Sequence, residues 1–206
     1  EILEDIKVPV DILFVAVGGG GLLSGVGSYF KQRSPTTRII ALEAEGAPAL
    51  ERALVAKSPV HLDTIDSFAD GIAVKEVGDR TFSICREVLD EIRLIPEGKI
   101  CSSILSLYND EAIVVEPAGA ISFAALDGFR EEIRWKNVVI IVCGGNNDIT
   151  RTEDIRERAL LWEGRKHYFI IRFPQRAGAL RDFLHLLGPD DDIARFEYTK
   201  KTNRDT

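Results

Sequence analysis

Four consecutive glycines, Gly18, Gly19, Gly20 and Gly21, stand between an apolar run of strand length, residues 12–17, and a segment whose Leu22, Leu23, Val26 and Phe30 lie near helical spacing. Without Cβ atoms, main-chain N–H groups can converge on one anion. A helix N-terminus adds about half a positive charge from its aligned peptide dipoles. Together they make a phosphate site that needs no cationic side chain. The Walker pattern G-x-x-x-x-G-K-[ST] is absent. The dinucleotide pattern G-x-G-x-x-G fails in both registers, because its third glycine falls on Leu23 or Ser24. Glu43, at the end of the next apolar run, sits about 20 residues on, where a ribose-binding acid belongs. A dinucleotide reading therefore stays open beside other phosphate ligands.

Two more features could carry chemistry. Cys143-Gly144-Gly145-Asn146-Asn147 follows the apolar run 137–142. Ligands of open α/β sheets bind at the carboxyl ends of strands, so two strands that end in glycine-rich loops suggest one pocket with two walls. Glu116-Pro117-Ala118-Gly119-Ala120 places a carboxylate beside a helix start, with proline where its missing N–H costs nothing. On its own, such a carboxylate can be a simple charge partner for the helix dipole, and Cys143 a small buried apolar residue.

The elements that must position these groups follow from the apolar periodicity. Strands are expected at 12–17, 38–43, 93–95 and 137–142; the first, second and last of these are continuous apolar runs suited to burial on both faces of a parallel sheet. Helices are expected after Gly21, over 79–91 with Phe82, Cys85, Leu89 and Ile92 on one side, over 96–108, from Glu116, and over 152–164. Strand–loop–helix–strand order predicts an α/β fold with an open, mostly parallel sheet. Beyond Gly164 the pattern changes. Residues 166–173 and 193–199 read as strands flanking a helix over 180–187, a smaller α+β domain. We therefore expect two domains, 1–163 and 164–206.

The 206 residues carry a formal charge of −7, which argues against a general nucleic-acid binder or a polybasic membrane anchor. No apolar run approaches the ~20 residues of a membrane span, and a cytoplasmic protein is the default expectation. Three cysteines without C-x-x-C spacing suggest neither a disulfide framework nor a zinc site. The sequence has no Met, opens inside what reads as a helix end and stops after a strand-like run. These features predict the interior of a longer protein.

The four motifs GGGGL, Phe68-Ala69-Asp70-Gly71, EPAGA and CGGNND, in this order and spacing, resemble the fold-type II pyridoxal-phosphate enzymes, and within them the biosynthetic threonine dehydratases. The tail KHYFIIRFPQRAGAL onward resembles the start of their ACT-like regulatory domain. The resemblance implies that Gly18, Gly19, Gly20, Gly21 and Leu22 hold the phosphate of pyridoxal 5'-phosphate. It places Gly71 beside the cofactor ring, Glu116 near the ring edge, and Cys143 where the family usually has a Ser facing the pyridine nitrogen. A neutral partner there leaves the ring less cationic than an Asp would, which suits β-elimination. Glu43 and the Ala47 carbonyl match cation-binding positions of serine racemase, but the third position, an Asp there, is Ala49 here, so no metal is expected. None of the nine lysines stands in the family's S-F-K-x-R-G-A context, so the resemblance puts the Schiff-base lysine, and with it the catalytic proton transfer, outside this chain. For the complete enzyme it implies conversion of L-threonine to 2-oxobutanoate and ammonia, feeding isoleucine biosynthesis. It also implies an amino-acid effector bound near 174–180, and a homo-oligomer, as a tetramer. A serine dehydratase or racemase of the same fold, a dinucleotide-dependent oxidoreductase and a non-enzymatic amino-acid sensor remain alternatives at this point.

Overall fold

The computed structural model describes residues 1–174 and 176–199. The chain divides into two compact units, the first Glu1–His167 and the second starting at Tyr168. In chain order the first contains α1 (Ile2–Asp5), β1 (Ile12–Ala16), α2 (Gly21–Arg33), β2 (Arg38–Ala44), α3 (Ala49–Ala56), α4 (Asp79–Val88), β3 (Glu91–Ile95), α5 (Glu97–Glu111), α6 (Pro117–Ala125), β4 (Val138–Ile140) and α7 (Thr152–Trp162). Among the described residues no helix is long and apolar enough to cross a membrane.

The four strands form one parallel sheet in the order β3-β2-β1-β4. Ile12 lies opposite Arg38 on one side and Val138 on the other, and Ala44 lies opposite Ile95. Side-chain alternation sorts the strands between two cores. Ile12, Phe14, Ala16, Ile40 and Leu42 face one core with α5, α6 and α7, whereas Leu13, Val15, Val17, Ile39 and Ala41 face the other with α2, α3 and α4. Every residue of β1 is buried, as the continuous apolar run demands for a strand covered on both faces. β4 is shorter than expected and only half-buried along its length. Like β3 it is an edge strand, paired on one side, here by β1, so an apolar run alone did not reveal its position in the sheet.

Helix α6 is nearly all small and apolar, and almost wholly buried, as a helix covered on every side must be. Helix α4 is amphipathic, with Phe82, Cys85 and Val88 buried at i, i+3, i+6. It lies close along α2 because α2 offers it glycine. A Cβ at Gly27 would stand 2.5 Å from Val88 Cγ2, and one at Gly20 would stand 3.2 Å from Cys85 Sγ. Helix α3 was not anticipated. Its run ALERALVA is short and directly follows the turn-like Gly46-Ala47-Pro48, so it does not stand out by periodicity, and its N-terminus is organised by the carboxylate of Glu43.

In the second unit the expected helix is present as α8 (Ala179–Leu184), ending three residues early. Residues 166–173 and 193–199, expected as strands, are not strands in the described structure. Alternation reports which side chains could share a face; it does not by itself specify strand pairing.

The α2–α4 contact yields a stability test. Gly27→Ala forces a methyl against a stiff β-branched side chain, and overpacking of this kind typically costs about 1–3 kcal/mol. Urea denaturation should show a lowered midpoint for Gly27→Ala and partial recovery when Val88→Ala is added. Equal stability of Gly27→Ala and wild type would mean that the helices do not approach this closely.

Candidate functional site

The strand order fixes where a ligand crevice can lie. From β1 the chain moves to β2 on one side, and later returns to place β4 on the other side. The carboxyl ends of β1 and β4 therefore flank the topological switch point, where open α/β sheets bind ligands. The loop after β1 is Gly18–Gly20 leading into α2, and the loop after β4 contains Cys143, Gly144 and Gly145.

Two loop glycines are required by contact. A Cβ on Gly18 would stand 2.9 Å from the Ile72 Cα, that is, inside backbone. Gly20 has φ of +84°, a left-handed conformation that side chains resist, and it is buried against Thr81 and Cys85. Gly19 and Gly21 face open space, with nothing within 4 Å of a Cβ. The carbonyls of the loop are held by protein. Gly19 O accepts from Thr81 Oγ1 at 2.7 Å, Gly20 O from Cys85 Sγ at 3.5 Å and from Ser24 N at 2.9 Å, and Gly21 O from Ser24 Oγ at 3.0 Å. Among the described residues no acceptor is recorded for the N–H groups of Gly18, Gly19, Gly20 or Gly21, and α2 has no side-chain cap. Four donors beside an open face at a helix N-terminus fit an anion such as a phosphate monoester. Leu22, 40% exposed, flanks them on the first turn.

The remaining motif residues are linked to this loop through Ile72. Gly71, next to it, packs on α6: its Cβ would stand 3.0 Å from Ala118 Cβ and 3.3 Å from Glu116 Oε1. Glu116 is the N-cap residue of α6, and its carboxylate fills the space beside Gly144, where φ is +83° and any side chain would overlap it. Gly119 lets the Cys143 and Gly144 carbonyls lie against α6. Cys143 Sγ reaches Ala118 O at 3.7 Å. Burial, together with the nearby Glu116 charge, pushes the Cys143 thiol up from its ordinary value, so it stays a neutral thiol at physiological pH. Thus Gly18, Gly71, Glu116, Cys143 and Gly144 form one continuous neighbourhood. The loop after β4 also holds Asn147, whose Oδ1 is buried without a hydrogen-bond partner among the described residues.

Glu43 lies elsewhere. It is 1% exposed, and its two oxygens accept from Leu50 N at 2.7 Å and Glu51 N at 2.9 Å. It is the N-terminal anchor of α3, supplied from the end of β2. A ribose-binding acid must present an oxygen to the crevice, and both oxygens of Glu43 are engaged by the main chain of α3. That removes the residue on which a dinucleotide reading depended.

Sequence reasoning missed the residues that hold this neighbourhood in place. Thr81 and Cys85 read only as part of an amphipathic helix. Arg151 and Arg158, just before and within the charged helix α7, stack on Phe68 with guanidinium carbons 4.9 Å and 4.5 Å from the ring centre. Arg151 also donates to Phe68 O at 2.6 Å, and Arg158 pairs with Asp66 at 2.8 Å. Burial works against the Asp66 charge, but the Arg158 bond holds its carboxyl below the usual range. The i, i+7 spacing of the two arginines puts them on one helical face, a signal with no partner visible in the sequence.

In the second unit a cavity of about 650 Å³ is lined by Phe173, Pro174, Arg176, Gly178, Arg181 and Tyr198 among others. It lies at the 174–180 turn; Gln175 is outside the described residues.

The family of pyridoxal-phosphate dependent enzymes matches residues 1–144, and the C-terminal regulatory domain of threonine dehydratase matches residues 157–206. Biosynthetic L-threonine dehydratases of Halalkalibacterium halodurans and of Bacillus subtilis are each 57% identical over 99% of this chain and 49% of their own length. The chain thus spans about half the length of the curated relatives it matches. Among solved structures, the processed form of threonine deaminase isoform 2 from Solanum lycopersicum superposes with a TM-score of 0.72 at 34% identity, covering 77% of this chain and 46% of that one. Maize serine racemase gives 0.67 at 30% identity, covering 76% and 50%.

Burial pushes the Glu43 carboxyl up to about 7, against the two α3 amides that favour its charge, with Glu51 adding to the rise. A folded-state value above the unfolded one means that this group's contribution to stability is full below about pH 4.5 and fades as pH rises toward 7. Denaturation midpoints followed from pH 4.5 to 8 should show this loss in the wild type and a flatter profile in Glu43→Gln. Parallel profiles would remove the assigned burial of the Glu43 charge.

Proposed function

Since the chain belongs to the family of pyridoxal-phosphate dependent enzymes, we propose that the complete protein is a threonine ammonia-lyase that uses pyridoxal 5'-phosphate to convert L-threonine to 2-oxobutanoate and ammonia in isoleucine biosynthesis. The match of residues 157–206 to the regulatory domain of threonine dehydratase favours this over a racemase or serine dehydratase of the same fold. One structural feature carries the assignment: the row of Gly18–Gly21 amides with no recorded protein acceptor, at the switch point of a parallel sheet.

The cofactor, when bound, supplies an electron sink for the negative charge that develops as the amino acid loses its α-proton. On this reading Gly18, Gly19, Gly20, Gly21 and Leu22 form the phosphate grip, strengthened by the dipole of α2. Gly71 gives the ring close access to main chain. Glu116, held between Gly71 and Gly144, lies at the ring edge. Cys143 would offer the pyridine nitrogen a neutral, weak hydrogen-bond partner in place of a carboxylate, a partner that would suit elimination over transamination. The lysine that anchors the cofactor and moves the α-proton belongs to the part of the enzyme that this chain does not include.

The residues from 164 onward form, on the same reading, part of an ACT-like regulatory domain. The cavity at 174–180, with Arg176 and Arg181 for a carboxylate and Phe173 and Leu184 for an aliphatic side chain, suits an amino-acid effector such as isoleucine. Differential binding of that effector to two states of the enzyme would regulate it. The complete protein is proposed to act in the cytoplasm as a homo-oligomer.

In the complete enzyme Gly20→Asp should abolish cofactor binding, since it puts a charge and a strained side chain at the grip; unchanged cofactor absorbance would show the loop to be purely structural. The 206-residue chain alone, supplied with threonine and cofactor, should yield no 2-oxobutanoate. Measurable product from a pure sample would mean that the proton-transferring lysine lies within it.

A further inference from the structure

The amides of the glycine loop point where they do because something holds the other side of each peptide. In a trans peptide unit the C=O and the following N–H are antiparallel, so fixing a carbonyl aims the next amide in the opposite direction. Gly19 O is held by Thr81 Oγ1 at 2.7 Å, which turns the Gly20 N–H away from α4. Gly20 O is held by Cys85 Sγ and by Ser24 N, which turns the Gly21 N–H the same way. The Thr81 hydroxyl has one proton and two carbonyls in reach. Gly78 O, at 2.9 Å, already accepts from Phe82 N at 2.8 Å, while Gly19 O is nearer and has no other donor among the described residues. Its proton therefore belongs to Gly19.

We infer that Thr81 is a positioning residue for the anion grip: from α4, outside the loop, its hydroxyl sets the orientation of the Gly19–Gly20 peptide and so the strength with which the Gly20 amide binds a phosphate ester. The inference rests on the proposed phosphate role of Gly18–Gly21. Gly19 is exposed on its other side, and among the described residues no other hydrogen bond fixes its carbonyl. Without the hydroxyl, this peptide is free to turn its carbonyl toward water, and a carbonyl in place of an amide repels a phosphate. Cys85 contributes less: a thiol is a weak donor, and Ser24 N already secures the Gly20 carbonyl.

The test uses the complete enzyme freed of cofactor, titrated with pyridoxal phosphate and, separately, with pyridoxal, which lacks the phosphate. The wild type should bind the phosphate ester much more tightly than pyridoxal. Thr81→Val, which keeps the shape and removes the donor, should weaken pyridoxal phosphate binding about three- to tenfold, the usual worth of one net hydrogen bond, and leave pyridoxal binding unchanged. Thr81→Ser should restore the wild-type affinity. If Thr81→Val does not fold, the Thr81→Ala and Thr81→Ser pair makes the same comparison. Unchanged pyridoxal phosphate affinity without the hydroxyl overturns the inference. So does an equal loss for both ligands, which would mark Thr81 as a packing residue. Should the wild type fail to distinguish the two ligands, the phosphate role of Gly18–Gly21 itself falls, and the inference with it.

Discussion

An amide and a carbonyl on the same peptide point opposite ways, and the site is built on that constraint. The first core strand ends in a loop whose carbonyls are taken up by α4 and by the opening turn of α2, so that its donors face outward with no acceptor among the described residues. Unsatisfied donors are costly when buried. Here they are grouped at an exposed edge, on the positive end of α2, where an anion can satisfy several of them at once. The parallel sheet makes this arrangement possible, because β1 and β4 both deliver their following loops to one edge.

Close approach of backbone to backbone does the rest. Gly18 rests on Ile72, Gly71 on Ala118 and Glu116, and Gly144 on the Glu116 carboxylate. A Cβ would overlap its neighbour at Gly18 and Gly144 and would be tight at Gly71, so three loops far apart in sequence are held in one neighbourhood. The cores below them are formed by the alternating faces of β1 and β2. A packed interior transmits displacement rather than absorbing it, so the loops inherit the rigidity of the sheet.

The loop that carries Gly71 and Ile72 has a second hold from α7. Phe68 lies under the guanidinium groups of Arg151 and Arg158, and Asp66 pairs with Arg158. Charged groups stacked on an aromatic face and paired with a partly buried carboxylate are worth more than an exposed ion pair. The helix following the glycine-rich loops thus fixes the segment around Phe68, a duty its highly charged sequence does not announce.

Much of this was legible in the sequence. The apolar run of β1 and the amphipathic spacing of α4 specified their elements because burial on two faces and on one face leave different periodicities. The four glycines marked a loop that needs glycine, and the structure gives the reason at two of them: Gly20 has a left-handed backbone and Gly18 lies against the Ile72 main chain. The tail was less legible. Residues 166–173 and 193–199 alternate like strands yet are not strands in the described structure, since alternation carries no information about a neighbour. Glu43 shows the same limit: its place at the end of β2 was readable, but whether it faced a ribose, a cation or the N-terminus of α3 depended on where α3 came to lie. Sequence by itself determined the conformation of the strongly patterned elements, such as β1 and α4, and the kinds of group available. Only the tertiary structure decided which donors were left without acceptors, because that depends on what the rest of the chain brings within hydrogen-bond reach.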